Sequence, residues 1–197
     1  MSPRTDTRER ILDAAEQLLA TRGYHGFSYH DIAKPLGIKN AAVHYHFPAK
    51  ADLGVAIVRR YRDMLKSASE EFMRFGGSAR RHLEAYLEFF MKEACEHKTM
   101  CPMGVLTADY FSIPETMREE GSKLEREVFA MLIRVLEVGR EQGELRFAGE
   151  PRTKAVMMMS VLQGARQLAR MMGSEVLATT INELRRELYT EPSTAAA

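Results

Sequence analysis

The sequence predicts an all-α protein of about nine helices, with a three-helix N-terminal head and an all-helical C-terminal domain. Three observations carry this. Apolar residues recur at helical spacing along almost the whole chain, and strand-like alternation is nearly absent. Gly and Pro fall at the breaks between periodic segments. The stretch 28–50, SYHDIAKPLGIKNAAVHYHFPAK, folds two short amphipathic segments around a glycine. The expected division is 1–47 for the head, 48–190 for the body and 191–197 for a disordered tail.

Each element has its own signal. In the first helix Ile11, Leu12, Ala15, Leu18 and Leu19 share a face; Asp6 with Glu9 reads as a capping box and Gly23 as the stop. A second helix runs from Ser28 to Leu36 and meets Gly37; a third covers about Asn40 to Phe47, where Pro48 stops it. Ile32, Ala33, Leu36, Ile38 and Val43 are spaced to be buried, leaving His30, Asn40, His44, Tyr45, His46 and Lys50 outward. Pro35 lacks an N–H and opposes the carbonyl of Asp31, so the second helix is expected to end early or bend. A long helix follows, with Leu53, Ile57, Tyr61, Met64, Leu65, Ala68 and Phe72 on one side, up to Gly76-Gly77. The next carries Leu83, Tyr86, Leu87, Phe90, Met91 and Ala94. The pattern breaks at Cys101-Pro102 and resumes briefly through Val105, Leu106 and Tyr110. Pro114 suits the first turn of a helix carrying Leu124, Val128, Met131, Val135 and Val138. After Gly143, a helix starting near Pro151 is apolar over much of its circumference, and beyond Gly173 the last helix carries Val176, Leu177, Ile181, Leu184 and Leu188.

The helix after Pro151 has more apolar surface than a monomer's surface helix would carry. It is either core of the body or, with the last helix, a homodimer interface forming a four-helix bundle. The second is favoured by the pair of short helices at 28–50, a kind of unit that acts in two-fold pairs.

Composition narrows the function without naming it. The formal charge is +1, so the chain is no indiscriminate polyanion binder. Residues 1–50 carry seven Lys/Arg against five Asp/Glu, and the remainder 21 against 22. A local basic face suffices for phosphate contacts. Two cysteines, Cys95 and Cys101, give no disulfide framework. With neither a signal-like start nor a long apolar run, a cytoplasmic location and no membrane partner are expected.

Two short helices meeting across a glycine turn, the second rich in hydrogen-bonding groups, describe a helix-turn-helix aimed at double-stranded DNA. The stretch IAKPLGIKNAAVHYHFPAKADL, with ILDAAEQLLATRGYHGFS before it, resembles the signature of the TetR (tetracycline-repressor-like) family of bacterial transcriptional regulators. The resemblance covers roughly residues 8–60; the body shares only the general layout of helices. It implies a homodimer bound to operator DNA that represses transcription until a small-molecule effector occupies the body, 48–190 thus being an effector-binding and dimerisation domain. Binding would swing the helix after Pro48 and change the separation of the heads.

The DNA-facing set it implies is Ser28, Tyr29, His30, Lys39, Asn40, Ala41, Ala42, His44, Tyr45, His46 and Lys50. Ser28 either caps the second helix or faces a phosphate. Tyr45 and His46 can donate to phosphates, and Lys50 sits near a helix N-terminus, where a phosphate is favoured. His30, Asn40, Ala41, Ala42 and His44 match positions that approach base edges, Asn suiting adenine and Ala the thymine methyl. Each is alternatively a solvated surface residue. The chain departs from the family where His44 replaces the usual tyrosine, where Ala41-Ala42 replaces Gly-Thr or similar, and where Lys39 stands in place of a capping serine, so that Asn40 may cap instead.

Phe72, Tyr86, Phe90, Met103, Tyr110, Met131, Val135 and Met158 are the candidate effector pocket, and equally ordinary core. Their few charges favour an apolar or weakly polar effector over an anionic one. Cys101, in the irregular TMCPMG segment, is either an inert buried thiol or an oxidant- or electrophile-sensing one with Cys95 as resolving partner. His44 and His46 point about 200° apart on a helix and cannot chelate one ion, so neither metal nor cofactor is expected. The chain lacks a phosphate loop, a nucleophile elbow and paired carboxylates, which leaves an enzyme, or a helical binding protein without DNA affinity, as the rival classes.

Overall fold

Nine α-helices form among the described residues of the computed structural model, which describes 6–75, 77–97 and 102–190, excepting side chains at 68–69, 71–75, 93–97 and 102–103. They are α1 (Thr7–Arg22), α2 (Tyr29–Leu36), α3 (Asn40–His46), α4 (Lys50–Phe75), α5 (Ala79–His97), α6 (Pro102–Ala108), α7 (Glu115–Glu141), α8 (Pro151–Met172) and α9 (Glu175–Leu188). The described residues contain no strand; a single antiparallel bridge joins Leu145 to Tyr189. No helix among them is long and apolar enough to cross a membrane.

The helix ends follow local chemistry. Asp6 caps α1 by accepting the Arg8 N–H at 3.1 Å, and Gly23, at φ 74°, closes it onto Leu19. The expected Glu9 half of that capping box is not made. Glu9 turns instead to Arg60, at 2.6 Å, because a guanidinium is a stronger partner than a lone N–H. Pro35 does not shorten α2, which runs to the expected stop. Pro35 lies in the last turn, and Gly37, at φ 67°, closes the end with its N–H on Ala33 and Lys34. Tyr110 lies beyond α6, in the turn before α7, and Pro114 sits just ahead of α7 rather than within it, accepting from Met117 and Arg118.

The chain forms two compact units, with the changeovers inside α4 and α7: Met1–Leu65 with Thr99–Glu125, and Lys66–Lys98 with Arg126–Ala197. In the first unit Ile11, Leu19, Ile32, Val43, Leu53 and Ile57 are buried together with Met117. Polar clamps fix its helices. Arg60 of α4 reaches three carboxylates stacked along one face of α1: Glu9 at 2.6 Å, Asp13 at 2.7 Å and Glu16 at 3.1 Å. Buried Glu120 of α7 is held by Arg62 at 2.8 Å, Lys123 at 3.0 Å and Arg59 at 3.2 Å. Gly54 lets α4 approach α7 closely, since a Cβ there would lie 2.4 Å from the Met117 sulfur.

The second unit packs α8 on α9 and both on α5, burying Leu83, Leu87, Leu162, Ile181 and Leu188. Glu84 accepts from Arg185 and, at 2.7 Å, from the Tyr189 hydroxyl, and Lys154 pairs with Glu187 at 2.5 Å. The C-terminal segment is strapped down as far as Thr190, whose N–H donates to Glu144 at 3.2 Å. The expected disordered tail, 191–197, lies outside the described residues. On α8, Ala155, Met158, Leu162 and Ala165 face the core, while Met157, Val161, Leu168, Met171 and Met172 are exposed. Four of these, together with Gly164, fall at alternating spacings of four and three: 157, 161, 164, 168, 171.

Candidate nucleic-acid interface

The site is built from α2, α3 and the loops that pin them. Ser28 precedes α2 in extended geometry; its N–H and its hydroxyl both donate to the Asp31 carboxylate, at 2.8 and 2.6 Å. These bonds, with Arg22 nearby, hold the Asp31 pKa below its ordinary value. The pairing is a capping box that starts α2 at a defined residue. Arg10 of α1 donates to the Leu36 carbonyl at 3.2 Å, which ties the other end of α2 to α1.

Tyr29, one of the expected DNA-facing residues, is turned inward. It is buried, and its hydroxyl donates to the Phe47 carbonyl at 2.7 Å, locking the start of α2 to the end of α3. Burial, with a further push from Asp52, raises its pKa to about 12. A tyrosine at the first position of an amphipathic helix offers no sequence clue to which way it turns; the carbonyl left open at the end of α3 decides it.

Lys50 is the second correction. Its ammonium is turned inward, donating to the carbonyl of Tyr24 at 2.5 Å and to that of Phe27. It also lies 4.8 Å and 4.0 Å from the centres of their rings. Burial lowers its pKa against the opposing pull of Asp31. A cation placed between two carbonyls and two aromatic faces is holding the 23–27 loop, so the outward, phosphate-facing placement expected from the sequence is not what the structure shows.

Most of the remaining candidates are exposed, and Ala42 and His46 are half-buried. Lys39 is the N-cap of α3, which leaves Asn40 as its first residue with its side chain free of capping duty. Asn40, Ala41 and His44 are exposed, Ala42 is half-buried, and Tyr45 is 83% exposed. His44 stands edge-on to the Tyr29 ring, 4.6 Å between centres, and Tyr45 edge-on to His46 at 5.2 Å. His30 is exposed on α2. Among the described residues, no group of His, Cys, Asp and Glu is placed to hold a metal ion.

The expected pocket residues are divided between the two units. Tyr86, Phe90, Val135 and Met158 are buried in the second unit, with half-buried Met131. Tyr110 belongs to the first, where it lines a cavity of about 210 Å3. The side chains of Phe72 and Met103, and all of Cys101, lie outside the described residues. Sequence reading missed Asp109, whose carboxylate accepts the Tyr24 N–H at 3.2 Å and so joins the turn after α6 to the loop that Lys50 holds. An 85-residue separation leaves no local pattern to find.

Comparison with known proteins places this geometry. The family described as "Bacterial regulatory proteins, tetR family" matches residues 11–57, which span α1 through the first turns of α4. The HTH-type transcriptional repressor NemR of Escherichia coli K12 is 31% identical over 163 residues, 81% of this chain and 82% of its own. Among solved structures, a TetR-family regulator from Agrobacterium tumefaciens superposes with TM-score 0.84 at 29% identity, covering 93% of this chain and 97% of its own. The reduced form of E. coli NemR gives 0.80 at 28%, covering 96% and 100%.

Proposed function

Because the chain belongs to the TetR family of bacterial regulatory proteins and is a DNA-binding transcriptional repressor, we propose that it works as a homodimer whose operator complex is released by a small-molecule effector. The single observation that carries the DNA-binding part is the exposed face of α3. Asn40, Ala41, His44 and Tyr45 are open to solvent while Val43 and Phe47 anchor the helix from behind. Residues 1–47 are the reading head. His30, Asn40, Ala41, Ala42 and His44 approach base edges, while Ser28, Lys39, Tyr45 and His46 contact the backbone. Tyr29 and Lys50 act from inside, by fixing α2 against α3 and the 23–27 loop against α4.

Residues 48–190 receive the effector and form the dimer. The exposed row Met157, Val161, Leu168 and Met171 on α8 supports pairing through the last two helices, for its 4-3 spacing is the seam of a helix bundle. Gly164 adds to this, since a Cβ there would meet nothing within 4 Å and a partner helix can approach closely. The site of action is the cytoplasm, where the DNA is, and no catalytic role is assigned.

Gel-shift titration against the promoter region beside its own gene tests the reading. A specific, salt-sensitive shift that a metabolite abolishes is expected, and sequence-independent binding alone would overturn it. A second reading, release through oxidation or alkylation of Cys101, draws support from the relative solved in a "reduced form". Release that survives Cys101→Ser removes it.

A further inference from the structure

In the first unit, α6, the turn after it and the first half of α7 surround a cavity of about 210 Å3. Its walls are mostly apolar: Leu106 and Ile113 are buried, and the Tyr110 ring forms a third side. Glu125 of α7 stands in that wall. Burial raises its pKa, and no hydrogen bond or ion pair among the described residues reaches its carboxylate. Arg118 lines the same cavity at its other end, donating to the Ile113 carbonyl at 3.1 Å with its guanidinium 5.8 Å from the centre of the Tyr110 ring, and it makes no ion pair with Glu125. Seven residues of helix set the backbones of Arg118 and Glu125 about 10 Å apart along the axis.

A carboxylate in a mostly apolar wall, paired with none of the described residues, is a costly arrangement, which the right occupant relieves. An anion would be repelled, and a purely apolar molecule would strip away the water that Glu125 retains. We infer that this cavity binds a small organic cation, its ammonium group paired with Glu125 and its apolar part against Leu106, Ile113 and Tyr110. The volume lies below the roughly 300–1,000 Å3 of drug-sized sites, which suits one ring with a short aminoalkyl arm. Tyr110 of the cavity follows Asp109 in the chain, the residue that holds the Tyr24 N–H of the head. Taking the occupant as the effector rests on the ligand-released repressor reading; its binding does not.

The test is calorimetric titration of the full chain at pH 7 with 2-phenylethylamine and, separately, with uncharged 2-phenylethanol. The amine is expected to bind about tenfold more tightly, the difference expected of one charge-assisted hydrogen bond. Glu125→Gln should erase that preference while retaining the alcohol. Thr107→Phe, which fills the cavity from α6, should abolish both. Should Glu125→Gln fail to fold, Glu125→Asp, which withdraws the charge by one methylene, is expected to narrow the preference. Absence of amine binding, equal affinities in the wild type, or a preference that survives these variants would overturn the inference. Amine binding that leaves the operator complex intact overturns only the effector reading.

Discussion

Replacing Lys50 by Met separates two roles for one cation. In the structure its ammonium donates to the carbonyls of Tyr24 and Phe27 and lies over both rings. Hydrogen bonds involving a charged group contribute about 1.5–3 kcal/mol each, and an exposed cation–π contact about 0.5–1 kcal/mol. Lys50 is only half-buried, so the low end applies; ordering its long side chain offsets up to about 2 kcal/mol. Lys50→Met keeps the aliphatic packing, and a net loss of about 2–3 kcal/mol follows. At this chain length that is a fall in Tm of about 5–10 °C, read by thermal melting of the free protein. The salt dependence of operator binding should stay unchanged, because no phosphate contact has been removed. If instead the melt stays put and the slope of log affinity against log salt falls by about 1.8 for the two copies in a dimer, Lys50 leaves the loop to grip DNA and this reasoning fails.

Three further outcomes are expected. Tyr45→Phe should weaken binding to every DNA sequence alike, by about threefold per half-site for one lost phosphate hydrogen bond, whereas Asn40→Ala should change preference at one base pair of each half-site by about 1–3 kcal/mol; competition gel shifts distinguish them, and a uniform loss for Asn40→Ala would show it is misassigned. Glu120, held by Lys123 and then by Arg59 against the opposing effect of burial, has its pKa drawn down to about 2. Its pairing therefore stabilises the fold above about pH 4.5 and is lost as pH falls through about 2, so the stability gap between wild type and Glu120→Gln should close across that window in acid titrations followed by circular dichroism. Leu168→Glu, in the exposed row of α8, should turn the dimer into monomers in sedimentation and weaken operator binding at least tenfold by removing paired half-sites; an unchanged dimer would place the interface elsewhere.

How much was legible depended on the range of the interaction. The order and ends of the helices follow from spacings of three and four and from Gly23, Gly37 and Gly173, whose positive φ fits the stops read from the sequence. The helix-turn-helix was equally plain, because Ile32, Ala33 and Val43 are buried as their period requires. Side-chain direction was not. Glu9 was expected on its own helix end and went to Arg60, 51 residues away, and Lys50 was expected on DNA and went to two carbonyls more than 20 residues back. Tyr29 and Glu125 show the same limit. Whether a phenol finds a carbonyl, or a carboxylate finds a partner among the described residues, depends on neighbours brought up by other helices.

The amino-acid pattern by itself determined a helical chain with a DNA-reading head, because periodicity, caps and turns act over a few residues and are written where they act. Only the tertiary structure decided which of the head's polar groups face outward and which are spent inside it. It also decided which cavity holds a carboxylate that none of the described residues pairs with. Those outcomes depend on competition among groups distant in sequence, where burial and the nearest opposite charge outweigh local preference.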